Sequence, residues 1–262
     1  MSEFFLELFS EEIPAGLQKN LREKIFEDFK NLFEEKSIRS KKNFSFSTPN
    51  RLVLVFEGLD KQIKIKSKEI RGPKTSAPEQ ALEGFLRSNK INKKDLFKKK
   101  TEKDEFYFYK TVATSLKTHD LLTEFIPKIL SNYQWKKSMK WGEFDLNWGR
   151  PLKSILSIFD KKIVSFKFHH LTSSNLTFLD KDFEEKKRSF ENFKKYEKFF
   201  EDNGVIVNQN KRLKIINKSF LKILGKKGLK INENPKLMDE VVNLVDSPNV
   251  LLCKFDKKFL SV

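Results

Sequence analysis

The sequence predicts an α+β protein, with mixed and antiparallel sheets, packed amphipathic helices and two sub-domains. Three observations lead there. Stretches alternating with a period of two are interspersed with stretches of helical period along the chain. Several strand patterns are joined by tight turn signals, which fit hairpins. The helical stretches each carry a single apolar stripe, as helices packed on one side of a sheet do.

The elements follow in order. Phe4 to Phe9 reads as a short strand, and Pro14 suits the first turn of a helix. Leu17, Leu21, Ile25, Phe29 and Leu32–Phe33 recur at three to four residues, so Pro14 to about Glu35 is an amphipathic helix. Phe44 to Ser47 alternates, Thr48-Pro49-Asn50 turns the chain, and Arg51 to Glu57 returns as a strand. Ile63 to Lys66 alternates apolar and basic. The stretch 71–101 breaks at Arg71-Gly72-Pro73 and Ala77-Pro78, holds a short helix from Glu79 to Arg87, and then turns basic at Lys93-Lys94 and Lys98-Lys99-Lys100. It reads as a mobile basic excursion.

Glu105 to Val112 is an aromatic strand and His119 to Tyr133 a helix. Leu152 to Phe168 gives two strands joined at Asp160-Lys161-Lys162. Asp182 to Phe200 reads as a charged helix, Gly204 to Val207 as a strand, and Lys211 to Leu224 and Pro235 to Val245 as helices. Val250 to Phe255 closes as a strand. The expected division runs between 1–166 and 167–262, each part α+β. The ending Lys258-Phe259-Leu260-Ser261-Val262 stops in mid-pattern, so the natural protein is expected to continue.

Composition narrows the function. The chain has 262 residues, a net charge of +17 and a pI near 9.7, so its surface attracts polyanions, of which nucleic acids are the obvious class. Part of that charge reflects a coding bias towards Lys. No apolar run approaches the roughly 18–20 residues that span a bilayer. MSEFFLELFSEE has no basic segment before its apolar stretch, which argues against a signal peptide. The single cysteine, Cys253, excludes an internal disulfide and is expected in the core. A cytoplasmic location fits these features.

Catalytic patterns are missing. No GxxxxGK[ST] or GxGxxG occurs, and Gly225-Lys226-Lys227-Gly228 reads as a helix-ending glycine flanked by cations. His169 and His170, read as strand neighbours, point to opposite faces and do not chelate one metal. Glu11-Glu12 sits where a helix dipole favours carboxylates. Cations do recur beside aromatics: Trp135, then Lys136-Lys137-Ser138-Met139-Lys140-Trp141-Gly142, then Trp148-Gly149-Arg150-Pro151. Cations hold phosphates and aromatic faces stack on unpaired bases, as in grips on single-stranded RNA. The competing reading is core aromatics with snorkelling lysines.

Several segments together resemble one family. Glu7 to Pro14 resembles the strand and E-E-[LI]-P helix start that opens the glycine–tRNA ligase beta subunit. Ser47 to Leu52 resembles its TPRRL strand entry. Arg71-Gly72-Pro73 with Ala81 to Phe85 resembles its RGP segment and the following helix. Met139 to Gly142 resembles MRWG, Arg150-Pro151 the RP strand start, and Leu237 to Val262 a further family segment. Asn50 and Lys140 stand where the family carries Arg. The family's GHRF segment has no counterpart, because residues 173–178 read SSNLTF.

The resemblance covers the N-terminal portion of a longer family chain. It implies a subunit that binds tRNA(Gly) and positions its acceptor end. A separate alpha subunit would use ATP, with Mg, to form glycyl-adenylate. The partners implied are that alpha subunit, in a tetramer of two alpha and two beta chains, and tRNA(Gly). No cofactor and no catalytic residue is expected in this chain. Arg51, Arg71, Lys140, Trp141 and Arg150 are the candidate RNA-binding residues. For Arg51 and Arg150 a structural ion pair at a strand start is the competing role. Two other readings stay open: a free-standing RNA-binding or tRNA-editing module similar to the editing domain of phenylalanine–tRNA ligase, and a scaffold whose charge is compositional.

Overall fold

A computed structural model describes residues 2–65, 67–101, 104–179, 187–256 and 258–259. The chain divides into two compact units, Met1–Lys61 with Thr118–Val262, and Gln62–Lys117. Residue 166, where the sequence suggests a division, lies inside the first unit, and the basic stretch 71–101 lies inside the second.

The first unit begins with β1 (Glu3–Ser10), α1 (Ala15–Glu35), β2 (Lys42–Ser47) and β3 (Arg51–Glu57). The second unit holds β4 (Gln62–Ile65), β5 (Glu69–Lys74), α2 (Glu79–Asn89), β6 (Leu96–Lys100), β7 (Glu105–Lys110) and β8 (Thr114–Lys117). In it, β4 pairs with β8, and a three-stranded sheet runs in the order β5-β7-β6. Thr118 N–H donates to Lys61 C=O at 3.0 Å, where the chain returns to the first unit.

The first unit then continues with α3 (Thr118–Asn132), β9 (Leu152–Phe159), β10 (Lys162–Ile163), β11 (Lys167–Phe168), β12 (Leu171–Thr172), β13 (Leu176–Phe178) and β14 (Lys187–Ser189). It ends in α4 (Phe193–Asp202), α5 (Gln209–Lys227) and α6 (Pro235–Leu244). Helices lie beside antiparallel strands, which bears out the α+β expectation.

The main sheet runs β10-β9-β1-β3-β2, every pair antiparallel. β1 lies in the middle and is buried on both faces, hence its nearly unbroken apolar sequence. Alternation sorts its side chains. Phe4 faces α1, with ring centroids 5.4 and 6.4 Å from Phe29 and Phe33. Phe5 faces the other way onto α4, 5.6 Å from Phe193 and 4.9 Å from Tyr196. Each such buried ring contributes about 1.5–3 kcal/mol.

Several local readings change. Glu11 and Glu12 precede α1, which starts only at Ala15, and Glu11 pairs with Lys153 of β9 at 2.7 Å instead of sitting on the helix dipole. His169 and His170 form the turn between β11 and β12, with His169 at φ 51°, so they are not strand neighbours. Val205–Asn208 is a loop: Val205 N–H caps α4 at Phe200 C=O and Ile206 N–H reaches Asp246 C=O, which leaves no strand ladder. Residues 187–189 are a strand and α4 begins at Phe193. The expected helix over 182–186 lies outside the described residues. Val250–Phe255 is not a strand, and Cys253 is exposed, because no neighbouring strand among the described residues pairs with it. Gly228, at φ 62°, does end α5 in the left-handed conformation.

Candidate nucleic-acid interface

The segment between α3 and β9 is held by one two-residue clasp. Met139 N–H donates to Trp148 C=O at 2.8 Å, and Trp148 N–H returns to Met139 C=O at 3.1 Å. Inside the clasp, Phe144 N–H donates to Trp141 C=O at 3.3 Å, closing a tight turn. The turn requires a positive φ at its second residue, which Gly142 supplies at 54°. Leu146 and Trp148 are buried and anchor the loop, whereas Met139, Lys140, Glu143, Phe144 and Asp145 are exposed.

Two aromatic groups result. Beneath lies Trp148, against Trp135 at 5.0 Å, Phe168 at 5.8 Å and Tyr133 at 6.5 Å. Gly149 is buried against the Trp135 indole so closely that a Cβ would overlap the ring. Gly149→Ala is therefore expected to displace Trp135 and cost about 1–3 kcal/mol. Tryptophan emission and a urea titration check this, and unchanged values for both would contradict the packing.

Outside lies the second group. Phe144 stacks on His170 at 3.7 Å with planes 8° apart, and Trp141 meets the same imidazole edge-on at 5.8 Å. Burial and the neighbouring His169 lower the His170 pKa, so the ring is neutral at physiological pH. Its Nδ1 is buried without a hydrogen-bond partner, as is Nε1 of Trp135. Lys136, Lys137 and Lys140 are exposed on the same segment. Lys140 pairs with Asp145 at 3.7 Å, and both ends are so exposed that the pair is weak.

The structure places the candidates differently from one another. Lys140 and Trp141 lie in the clasped loop and Arg150 follows it, half-buried, with Nη1 donating to Gly149 C=O at 2.8 Å. Arg71 is exposed and belongs to the second unit. Arg51 is not a solvent-facing cation. It is 2% exposed, lies between the rings of Phe9 at 4.6 Å and Phe200 at 4.5 Å, and donates from Nη2 to Phe178 C=O at 2.6 Å and Leu179 C=O at 2.9 Å.

The reason lies in the strand register. Arg51 is opposite Phe9, and Glu7 lies two residues back on the same face of β1, so Arg51 Nε comes 3.6 Å from Glu7 Oε2. Glu7 is fully buried and also accepts from the hydroxyls of Thr177 and Tyr196. Burial pushes the Glu7 carboxyl up, while Arg51 and the two hydroxyls pull it down. The same burial, with the Glu7 charge, raises the Tyr196 phenol well above its ordinary value.

Phe144 and His170 are the members of this aromatic group that the sequence reading missed. They are far apart along the chain, and only the turn at His169 brings the imidazole to the loop. Among the described residues no group of three His, Cys, Asp or Glu could hold a metal ion. No described helix is long and apolar enough to cross a membrane.

Residues 4–262 match the family described as "Glycyl-tRNA synthetase beta subunit". The chain belongs to that family. The glycine–tRNA ligase beta subunit of Rickettsia canadensis (strain McKiel) is 37% identical over 262 residues, covering 100% of this chain and 39% of the relative. Those of Rickettsia felis (strain ATCC VR-1525 / URRWXCal2), at 36%, and Rickettsia conorii (strain ATCC VR-613 / Malish 7), at 38%, cover 100% of this chain and 40% and 39% of their own lengths. The chain thus spans about two-fifths of the length of these aminoacyl-tRNA synthetase subunits. A match across nearly the whole chain does not favour a free-standing editing module.

Two residues that the sequence resemblance singled out now have a structural setting. Asn50 is buried, and its side-chain amide donates to Ser10 C=O at 3.1 Å, tying the β2–β3 turn to the end of β1. Lys140 keeps the charge but lacks the planar fork that grips a phosphate with two bonds.

Proposed function

We propose that this chain is the tRNA-handling portion of a glycine–tRNA ligase beta subunit, and that the clasped loop 139–148 with His170 meets unpaired nucleotides of tRNA(Gly). The carrying observation is the Trp141–Phe144–His170 group, in which Phe144 is exposed and Trp141 and His170 are half-buried, beside Lys136, Lys137 and Lys140. Aromatic faces accept unpaired bases of any sequence, and lysines supply the attraction to phosphate. The neutral His170 stacks without adding charge, so affinity here rests on the lysines.

In this reading the chain performs no bond-making step. A separate alpha subunit binds ATP and glycine and forms glycyl-adenylate, in a tetramer of two alpha and two beta subunits. The beta chain holds the acceptor end in line with that centre, where positioning alone lowers the entropic part of the barrier.

Filter binding of tRNA(Gly) across a salt series tests it. Log affinity is expected to fall linearly with log salt, and Lys140→Gln to reduce the slope by about one. Phe144→Leu is expected to weaken binding about tenfold while leaving the slope intact. Affinity indifferent to salt, or unchanged by both substitutions, would remove this reading.

A further inference from the structure

The second unit carries a binding face of its own. Residues 62–117 contain fifteen Lys and Arg against seven Asp and Glu, so much of the net charge of the chain is concentrated there. In antiparallel strands, residues directly opposite share a face. The register sets Phe97 of β6 and Arg71 of β5 on either side of Phe108 of β7, and Lys99 of β6 and Lys74 of β5 on either side of Phe106. One face of the sheet therefore interleaves three phenyl rings with three cations.

The contacts fit that arrangement. Phe97 and Phe108 stack at 6.0 Å with planes 25° apart. The Arg71 guanidinium lies 3.6 Å from the Phe106 centroid, and Lys99 Nζ lies 5.6 Å from that of Phe108. Phe106 is buried, as a core ring would be. Phe97 is not: it is 37% exposed, and it sits on an edge strand. Arg71, Lys74 and Lys99 are exposed. Two carboxylates hold cations here, Glu69 on Lys99 at 2.9 Å and Asp104 on Lys74 at 2.7 Å, in exposed pairs that a phosphate can displace.

We propose that the Phe97–Phe108 face of the β5-β7-β6 sheet is a binding site for single-stranded RNA. The cations take the backbone, and the exposed edge of the ring pair takes an unpaired base. A duplex keeps its bases stacked inside and offers this face its phosphates alone. The site uses no residue of the 139–148 loop, so it stands whether or not that loop meets tRNA.

The test compares a fluorescein-labelled oligouridylate with an RNA duplex of equal length, titrated with the whole 262-residue chain at one salt concentration. The single strand is expected to bind more tightly. Phe97→Leu, which keeps apolar bulk on an exposed edge, is expected to weaken it about tenfold and leave the duplex unchanged. Phe144→Leu in the other unit removes the stacking ring of the 139–148 loop, and the effect of Phe97→Leu is expected to persist in that background. 4-Thiouridine in the oligonucleotide is expected to cross-link within β6 and β7. If Phe97→Leu misfolds by circular dichroism, Lys99→Gln and the cross-link map decide. Equal affinity for strand and duplex shows plain polyanion attraction and overturns the proposal. So do cross-links that fall only outside 62–117, or an effect of Phe97→Leu that vanishes in the Phe144→Leu background.

Discussion

Glu7→Ala is expected to cost about 3–5 kcal/mol, a large share of the 5–15 kcal/mol that holds a typical domain together. The substitution leaves Arg51 charged and 2% exposed, without its carboxylate, and removes the acceptor for two buried hydroxyls, Thr177 and Tyr196. Glu7→Gln keeps an acceptor for those hydroxyls and is expected to cost less, though Arg51 still loses its counter-charge. Urea unfolding checks the order, and Glu7→Ala no worse than Glu7→Gln would contradict it.

The pair also predicts a pH dependence. Burial raises the folded carboxyl above its ordinary value of 4.5. Between those two values the folded chain holds a proton that the unfolded chain has released. The contribution of this group is therefore greatest below 4.5 and declines as pH rises through the folded value. Glu7→Gln removes that slope. The difference in urea midpoint between wild type and Glu7→Gln should accordingly shift across this window in favour of wild type as pH falls.

Arg212→Ala is expected to cost a similar 3–5 kcal/mol. Arg212 is fully buried and donates to four carbonyls: Ser47 at 2.8 Å, Ile206 at 2.6 Å, Val207 at 3.1 Å and Val242 at 2.9 Å. One side chain on α5 thereby joins the end of β2, the α4–α5 loop and α6. Burial lowers its pKa to about 10, with Arg22 adding to the fall, so it stays charged at neutral pH. Lys at this position offers a single ammonium in place of a fork and should rescue little. Thermal unfolding of Arg212→Ala, Arg212→Lys and wild type checks this, and recovery by Lys would refute the fork argument.

Much of the fold was legible because period alone decides it. The stripe of α1 and the β2–β3 hairpin follow from spacing and from Thr48-Pro49-Asn50. Long-range pairing was not legible. Nothing near Arg51 in the sequence says that β1 will run antiparallel beside it with Glu7 on the shared face, so a strand-start arginine reads equally well as an RNA contact. Arg212 was hidden for the same reason, since its four acceptors come from three separate segments. The cation and aromatic content of the 135–151 segment was readable in the sequence, though its clasp was not. His170 was not, because a positive φ at His169 is what swings it to Phe144. Cys253 misled because an apolar run predicts a strand only where a neighbour exists to pair with it.

The hydrogen bond from Thr118 to Lys61 has an evolutionary corollary. The β4–β8 pairing continues from the same point, with Gln62 opposite Lys117. Departure and return of the chain are thus side by side, like the two threads of a stitched-on pocket. The segment between them can therefore lengthen, shorten or change its charge with little strain at Lys61 and Thr118, so its surface is free to vary while the packing of the first unit stays constant.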